Sequence, residues 1–326
     1  METCAFCQKR RSLEESHIIP KAVGRAAKRR LLEEHPTFVT TSGERNVQDI
    51  DKLDLLCREC ERLHAELGDD PFLRYLFHPF FGQPVGLSAQ ENSERLAFIK
   101  YGEWLRRFAA SVSWRVIAAA SKRGELSDEF GPADLRRIGR AKQVWKQYLN
   151  GRRDDVGPFH HYALPLHVVF EWELLDVQPS SYLNRFLGLS FHTAVKRVAG
   201  TLCTYVKMPR FIFIGKIHPT SATAIDVCPR IHADGTLRLD GWHTLPEALL
   251  RYLNEQAEWH SQAHDNPPEY FREKSKANAQ RVLRKRTRDE IFDSDEIRLF
   301  AMDEELQRNW TKASPLGLQS ASGSDQ

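Results

Sequence analysis

Six cysteines occur in the 326-residue chain, and four of them form two Cys-x-x-Cys pairs, Cys4-Ala5-Phe6-Cys7 and Cys57-Arg58-Glu59-Cys60. Random placement would give roughly 0.1 such pairs, so two of them mark a site. Four thiolates at this spacing suit a tetrahedral, structural Zn2+. Each pair makes a tight knuckle, and the ion ties together segments with little core of their own. The alternative is two buried or redox-active pairs. Cys203 and Cys228 stand alone in strand-like sequence and are expected to be core residues.

Between the pairs runs Glu15-Ser16-His17-Ile18-Ile19-Pro20-Lys21, and Leu55-Leu56 precedes the second pair, which Glu61 follows. A zinc knuckle, a strand ending in His-Ile-Ile-Pro, a loop, and Leu-Cys-x-x-Cys opening a helix together resemble the HNH endonucleases with their ββα-metal fold. The likeness is closest to a branch carrying Ser-His-Ile-Ile-Pro-Lys and Leu-Leu-Cys-x-x-Cys-Glu in that order. Tyr101-Gly102-Glu103-Trp104 and Ser113-Trp114-Arg115-Val116 are similar to that branch too. The nuclease-like resemblance covers about residues 1–70.

The resemblance implies an activity: hydrolysis of DNA phosphodiesters by water, with a role in bacterial defence or a mobile element. His17 matches the general base, and an imidazole near its ordinary value of about 6.5 suits that task at neutral pH. One catalytic divalent ion, Mg2+ or Mn2+, would stabilise charge on the phosphate. The ligand that normally precedes the base is Ser16 here, with Glu15 one residue back and, by strand alternation, on the side of His17. The middle Asn falls on or near Lys52, leaving Asn46 as a displaced catalytic candidate. The final His is replaced by Glu61, and His64 follows three positions on, on the same helix face. Glu15, Glu61 and His64 are thus the candidate ligands of the catalytic ion. Two alternatives stand beside this reading. His17 packs beneath the knuckle, or the chain is a zinc-stabilised, non-catalytic nucleic-acid-binding or adaptor protein.

Net charge is only +3, but its distribution is uneven. From Gln8 to Arg30 eight Lys/Arg face only Glu14 and Glu15, and Lys21, Arg25, Arg29 and Arg30 become candidate nucleic-acid contacts. From Arg272 to Arg288 eight more face Glu273 alone, with Arg284, Lys285, Arg286 and Arg288 the densest group. From Asp289 to Lys312 eight acids follow. Each block reads either as a phosphate-contacting surface or as a solvated helix face. His160, His161 and His167 lack ligand spacing and read as structural or surface residues.

The elements that must carry these residues follow from periodicity. Residues 1–70 form the zinc/ββα-metal, treble-clef-like module, 71–312 a mainly helical α+β body, and 313–326 a flexible tail; the fold class is α+β. After a connecting stretch from Phe72 to Leu87, Trp104, Leu105, Phe108, Val112, Val116 and Ile117 recur at helical spacing. Gly131-Pro132 opens a second helix bearing Leu135, Ile138, Ala141, Trp145 and Leu149. Gly151 to Pro158 reads as a loop, and Leu183 to Val198 as a shorter helix. Two strands flank Met208-Pro209-Arg210, and a short one follows Asp234-Gly235. Further helices are expected from Pro246 to Trp259 and from Pro268 to Trp310. No apolar run approaches the roughly 20 residues of a membrane span. The N-terminus carries Lys9-Arg10-Arg11 where a signal peptide needs apolar residues. The expected location is the cytoplasm, where thiols stay reduced.

Overall fold

The computed structural model describes residues 2–30, 38–40, 43–45, 51–81, 101–166, 190–218, 223–237, 247–249 and 251–256; at 27–30, 38–40, 43–45 and 80–81 only the backbone is described. Asn46, Arg284, Lys285, Arg286, Arg288, His167, the charged segment from 268 to 310 and the tail lie outside the described residues.

The chain opens with two short paired strands, β1 (Glu2–Thr3) and β2 (Arg10–Arg11), which bracket the first cysteine pair. Gln8 takes φ 63°, so the knuckle closes with its amide on the Cys4 carbonyl at 2.9 Å. Strand β3 (Leu13–His17) leads into α1 (Lys21–Arg30), and after β4 (Phe38–Thr40) and β5 (Gly43–Arg45) it pairs antiparallel with β6 (Lys52–Cys57). Helix α2 (Arg58–His64) follows β6 without a loop, and Cys57 is its N-cap. A strand pair and the helix that follows it make this region mixed, in line with the α+β class.

The helical run does not stop at residue 70. It continues through a π-turn at Ala65–Asp69, α3 (Asp70–Phe72), a second π-turn at Leu73–Phe77 and α4 (His78–Phe81). The stretch read as a connection is therefore helical as far as Phe81. Pro71, which has no N–H to donate, falls inside this run where the π-turn passes into α3, and Phe72, Leu76 and Phe77 are buried.

Helix α5 (Glu103–Arg123) is the centre of the molecule. Its residues from Phe108 to Ala120 are all buried, so it is apolar all round rather than amphipathic. Strand β6 and the π-turn after α2 lie against one part of it and a sheet against another, and the small residues Ala109, Ala110, Ala118, Ala119 and Ala120 let both come close. Gly124, at φ 80°, ends the helix in the left-handed conformation that favours glycine. Helix α6 (Glu125–Glu129) is short, and α7 (Pro132–Leu149) starts on proline as expected.

Four more strands, β7 (His161–Pro165), β8 (Phe191–Val198), β9 (Thr201–Met208) and β10 (Phe211–Lys216), join β4 and β5 in a six-stranded sheet of order β5-β4-β8-β9-β10-β7. Only β4 and β8 pair in parallel. The β9–β10 hairpin is the expected one. The expected helix over Leu183 to Val198 is wrong over its second half, where β8 is an interior strand between β4 and β9. Phe191, Thr193 and Val195 are buried on one face, and so are His192, Ala194 and Val198 on the other, so alternation disappears from the sequence. Near residue 236 an isolated bridge, Ile231 to Leu237, is described, and 247–249 and 251–256 are helical. Cys203 and Cys228 are core residues, as expected. No described helix is long and apolar enough to cross a membrane.

Candidate metal centre

The knuckle of β1–β2 and the β6–α2 junction bring Cys4, Cys7, Cys57 and Cys60 together, with all four sulfurs within 4.8 Å of one another. Cys7 Sγ and Cys57 Sγ are 3.8 Å apart, the edge of a tetrahedron with bonds of about 2.3 Å, as Zn–S requires. None of the four is in a disulfide. The Cys57 amide donates to Cys4 Sγ at 3.3 Å, orienting that sulfur. Burial, with the Cys4 sulfur close by, pushes the Cys60 thiol far above its ordinary value, so four thiolates here call for a cation. The donor set fits a metal such as zinc. It is the one group of three or more Cys, His, Asp or Glu ligands among the described residues.

The second site expected from the sequence lies where β3 meets α2. Ser16 is fully buried, and its hydroxyl accepts the Leu56 amide at 3.0 Å. Glu61 reaches the same place from the helix. Burial raises its carboxyl above the usual range, against the Arg115 charge and the Ser16 hydroxyl, which lower it. Its Oε1 is buried with no hydrogen-bond partner. Ser16 and Glu61 therefore converge; His17, the next residue of β3, is half-buried at the strand end.

The other expected ligands are drawn elsewhere. A bulge between Glu14 and Glu15 breaks the alternation of β3, so both are exposed, and Glu15 is held by Lys52 at 2.8 Å. His64 is buried in the core, its Nδ1 2.6 Å from Ser111 Oγ and its ring edge-on to Phe6 at 4.7 Å. Burial, aided by the Arg115 charge, pushes this imidazole well below its usual value, so it is neutral. Lys21 and Arg25 are exposed on α1; the side chains of Arg29 and Arg30 are outside the described residues. His161 is buried against Trp145, and burial pushes it down to about 3; it is structural. His160 Nδ1 accepts from Arg230 Nη2 at 3.0 Å.

Arg115 ties these parts together, and residue spacing alone did not single it out. It is almost fully buried in α5, donates to the His17 carbonyl at 2.8 Å, and reaches Asp69 Oδ1 at 2.5 Å and Ser111 Oγ at 3.0 Å. The strand end bearing His17, the π-turn after α2 and the central helix are thus fixed by one guanidinium. An arginine amid the apolar run Val112 to Ala120, within Ser113-Trp114-Arg115-Val116, was the available signal. Comparison with protein-family models, curated proteins and solved structures finds no match to this chain.

Proposed function

We propose that the chain is an HNH-like endonuclease that hydrolyses DNA phosphodiester bonds, with a structural zinc at the four cysteines and a Mg2+ or Mn2+ site at Glu61. The observation that supports this best is the buried Glu61 Oε1 without a hydrogen-bond partner, beside Ser16, the residue before His17. Leaving such a group unsatisfied costs about 1–3 kcal/mol or more, which a cation offsets. Mg2+ typically takes one or two carboxylates, several waters and substrate phosphates, a demand that Glu61 and the Ser16 hydroxyl can meet. The ion, when bound, would offset charge on the phosphate and leaving oxygen. His17, its main chain held by Arg115, takes the proton of the attacking water. Zinc has no part in the chemistry, because four cysteines leave it no open position. Exposed Lys21 and Arg25 supply phosphate contacts directly after the site. A reducing cytoplasm and a role in defence or in a mobile element accord with this reading.

A second reading, a zinc-stabilised nucleic-acid-binding or adaptor protein without catalysis, draws on the diversion of Glu15 to Lys52 and of His64 to Ser111. Plasmid and single-strand cleavage by wild type, His17→Ala and Glu61→Gln, with several divalent ions, separates the two. Cleavage that needs added metal and is lost in both variants supports the nuclease. Binding that ignores both changes, without cleavage, supports the adaptor.

A further inference from the structure

Helix α7 lies outside the nuclease-like region, yet from Arg136 to Arg153 the chain has seven basic residues and no acid. Its apolar side, Ile138, Ala141, Trp145, Tyr148 and Leu149, is buried against the rest of the molecule. Arg136, Gly139, Arg140 and Gln143 are exposed on the opposite side, at the three- and four-residue spacing of one face. Asp134, the helix's one acid, is already occupied by Arg137 at 2.8 Å and Arg197 at 2.7 Å. Neither Arg136 nor Arg140 has an acidic partner among the described residues. Two more cations of this helix sit close together: burial, with the neighbouring Lys146 charge, lowers the Lys142 ammonium from its ordinary value, and Lys142 donates to Ser121 Oγ at 3.3 Å.

Position matters as much as charge. Lys146 Nζ lies 6.0 Å from the ring centre of Phe6, inside the cysteine knuckle, so α7 borders the metal module directly. At Gly139 a Cβ would meet nothing within 4 Å, so this mid-helix glycine serves no internal packing and leaves the exposed backbone open to close approach. From Arg136 to Lys146 the helix spans about 15 Å, a length over which one DNA strand presents about four phosphates.

We infer that the exposed face of α7, centred on Arg136, Gly139 and Arg140, is a docking surface for the phosphate backbone of nucleic acid, delivering it to the zinc module. The inference rests on the nucleic-acid reading above and adds the body's part in it. Contacts of this kind position the duplex without reading its sequence.

The test uses the full zinc-loaded chain and a labelled DNA duplex without added divalent ion, so that binding is measured apart from cleavage. Arg136→Gln with Arg140→Gln is compared with Arg74→Gln plus Arg251→Gln, an equal loss of charge at exposed arginines elsewhere. The α7 pair should weaken binding about tenfold to fiftyfold near 0.1 M salt, alike for unrelated sequences, and flatten the log–log salt slope by about 2. The control pair should stay within about threefold of wild type. Equal affinities and slopes for the two double variants would overturn the inference, as would no DNA binding by wild type at low salt. Because the duplex is titrated without divalent ion, this comparison is independent of cleavage, so the docking and the catalytic readings fail separately.

Discussion

Replacing Arg115 by methionine removes a buried group that joins the central helix to the strand bearing His17. Three acceptors lose their donor: Asp69 Oδ1, at 2.5 Å, Ser111 Oγ, at 3.0 Å, and the His17 carbonyl, at 2.8 Å. Breaking a buried ion pair from one side costs about 3–5 kcal/mol, and an orphaned buried carbonyl about 1–3 kcal/mol. The two overlap, so a loss of about 4–6 kcal/mol is expected, a large share of a typical 5–15 kcal/mol stability. The loss should depend on pH with a definite sign. Burial holds the Asp69 carboxyl above its ordinary value while Arg115 opposes the rise. A carboxyl raised by folding contributes stability below its ordinary value and loses it as pH climbs through the folded one. Without Arg115 the folded value moves higher, so the variant's deficit is greatest near pH 8 and shrinks toward about pH 5. Urea unfolding of wild type, Arg115→Met, Asp69→Asn and the double variant at both pH values measures this as a cycle, with Asp69→Asn expected to recover at least about 2 kcal/mol in the Arg115→Met background. A deficit under about 1 kcal/mol, unchanged between the two pH values, would refute the reasoning.

Elemental analysis of protein purified without chelator should find a single zinc per chain, and Cys57→Ser should abolish it. Because Phe6 packs on Trp114 at 5.1 Å as well as on His64, zinc loss should lower the whole chain's melting transition, seen by scanning calorimetry with and without chelator. Gly68→Ala should cost about 1–3 kcal/mol in chemical denaturation, since its Cβ would stand 2.9 Å from the Phe108 Cα and neither backbone can yield easily. Gly139→Ala, with open space around it, should raise stability by about 0.5–1 kcal/mol in the same assay.

What was legible in the sequence was local. The cysteine pairs, the strand ending at His17 and the helix after Cys57 follow from spacing over a few residues, and the structure has all three. Helices α5 and α7 and the β9–β10 hairpin were likewise written in short-range periodicity and in Gly131-Pro132. Strand β8 was misread because both its faces are buried, which erases the period of two. Its parallel partner β4 lies about 150 residues earlier, a pairing that no local pattern encodes. Glu15 was assigned to the side of His17 by alternation, and the regular register from Glu15 to His17 keeps it there; what the sequence did not show is that Lys52, paired with His17, takes its carboxylate. His64 shares a helix with Glu61, but its surroundings are set by Ser111 and Trp114, which arrive from a helix some fifty residues away.

The most direct measurement is a crystal structure of the zinc-loaded protein soaked in Mn2+, with anomalous scattering recorded at both metals' absorption edges. The account requires zinc among the sulfurs of Cys4, Cys7, Cys57 and Cys60, and manganese on a Glu61 carboxylate oxygen with His17 no further than one bridging water away. Zinc at the cysteines with no manganese at Glu61, in crystals soaked at millimolar Mn2+, would contradict the nuclease reading and leave a zinc-stabilised binding module.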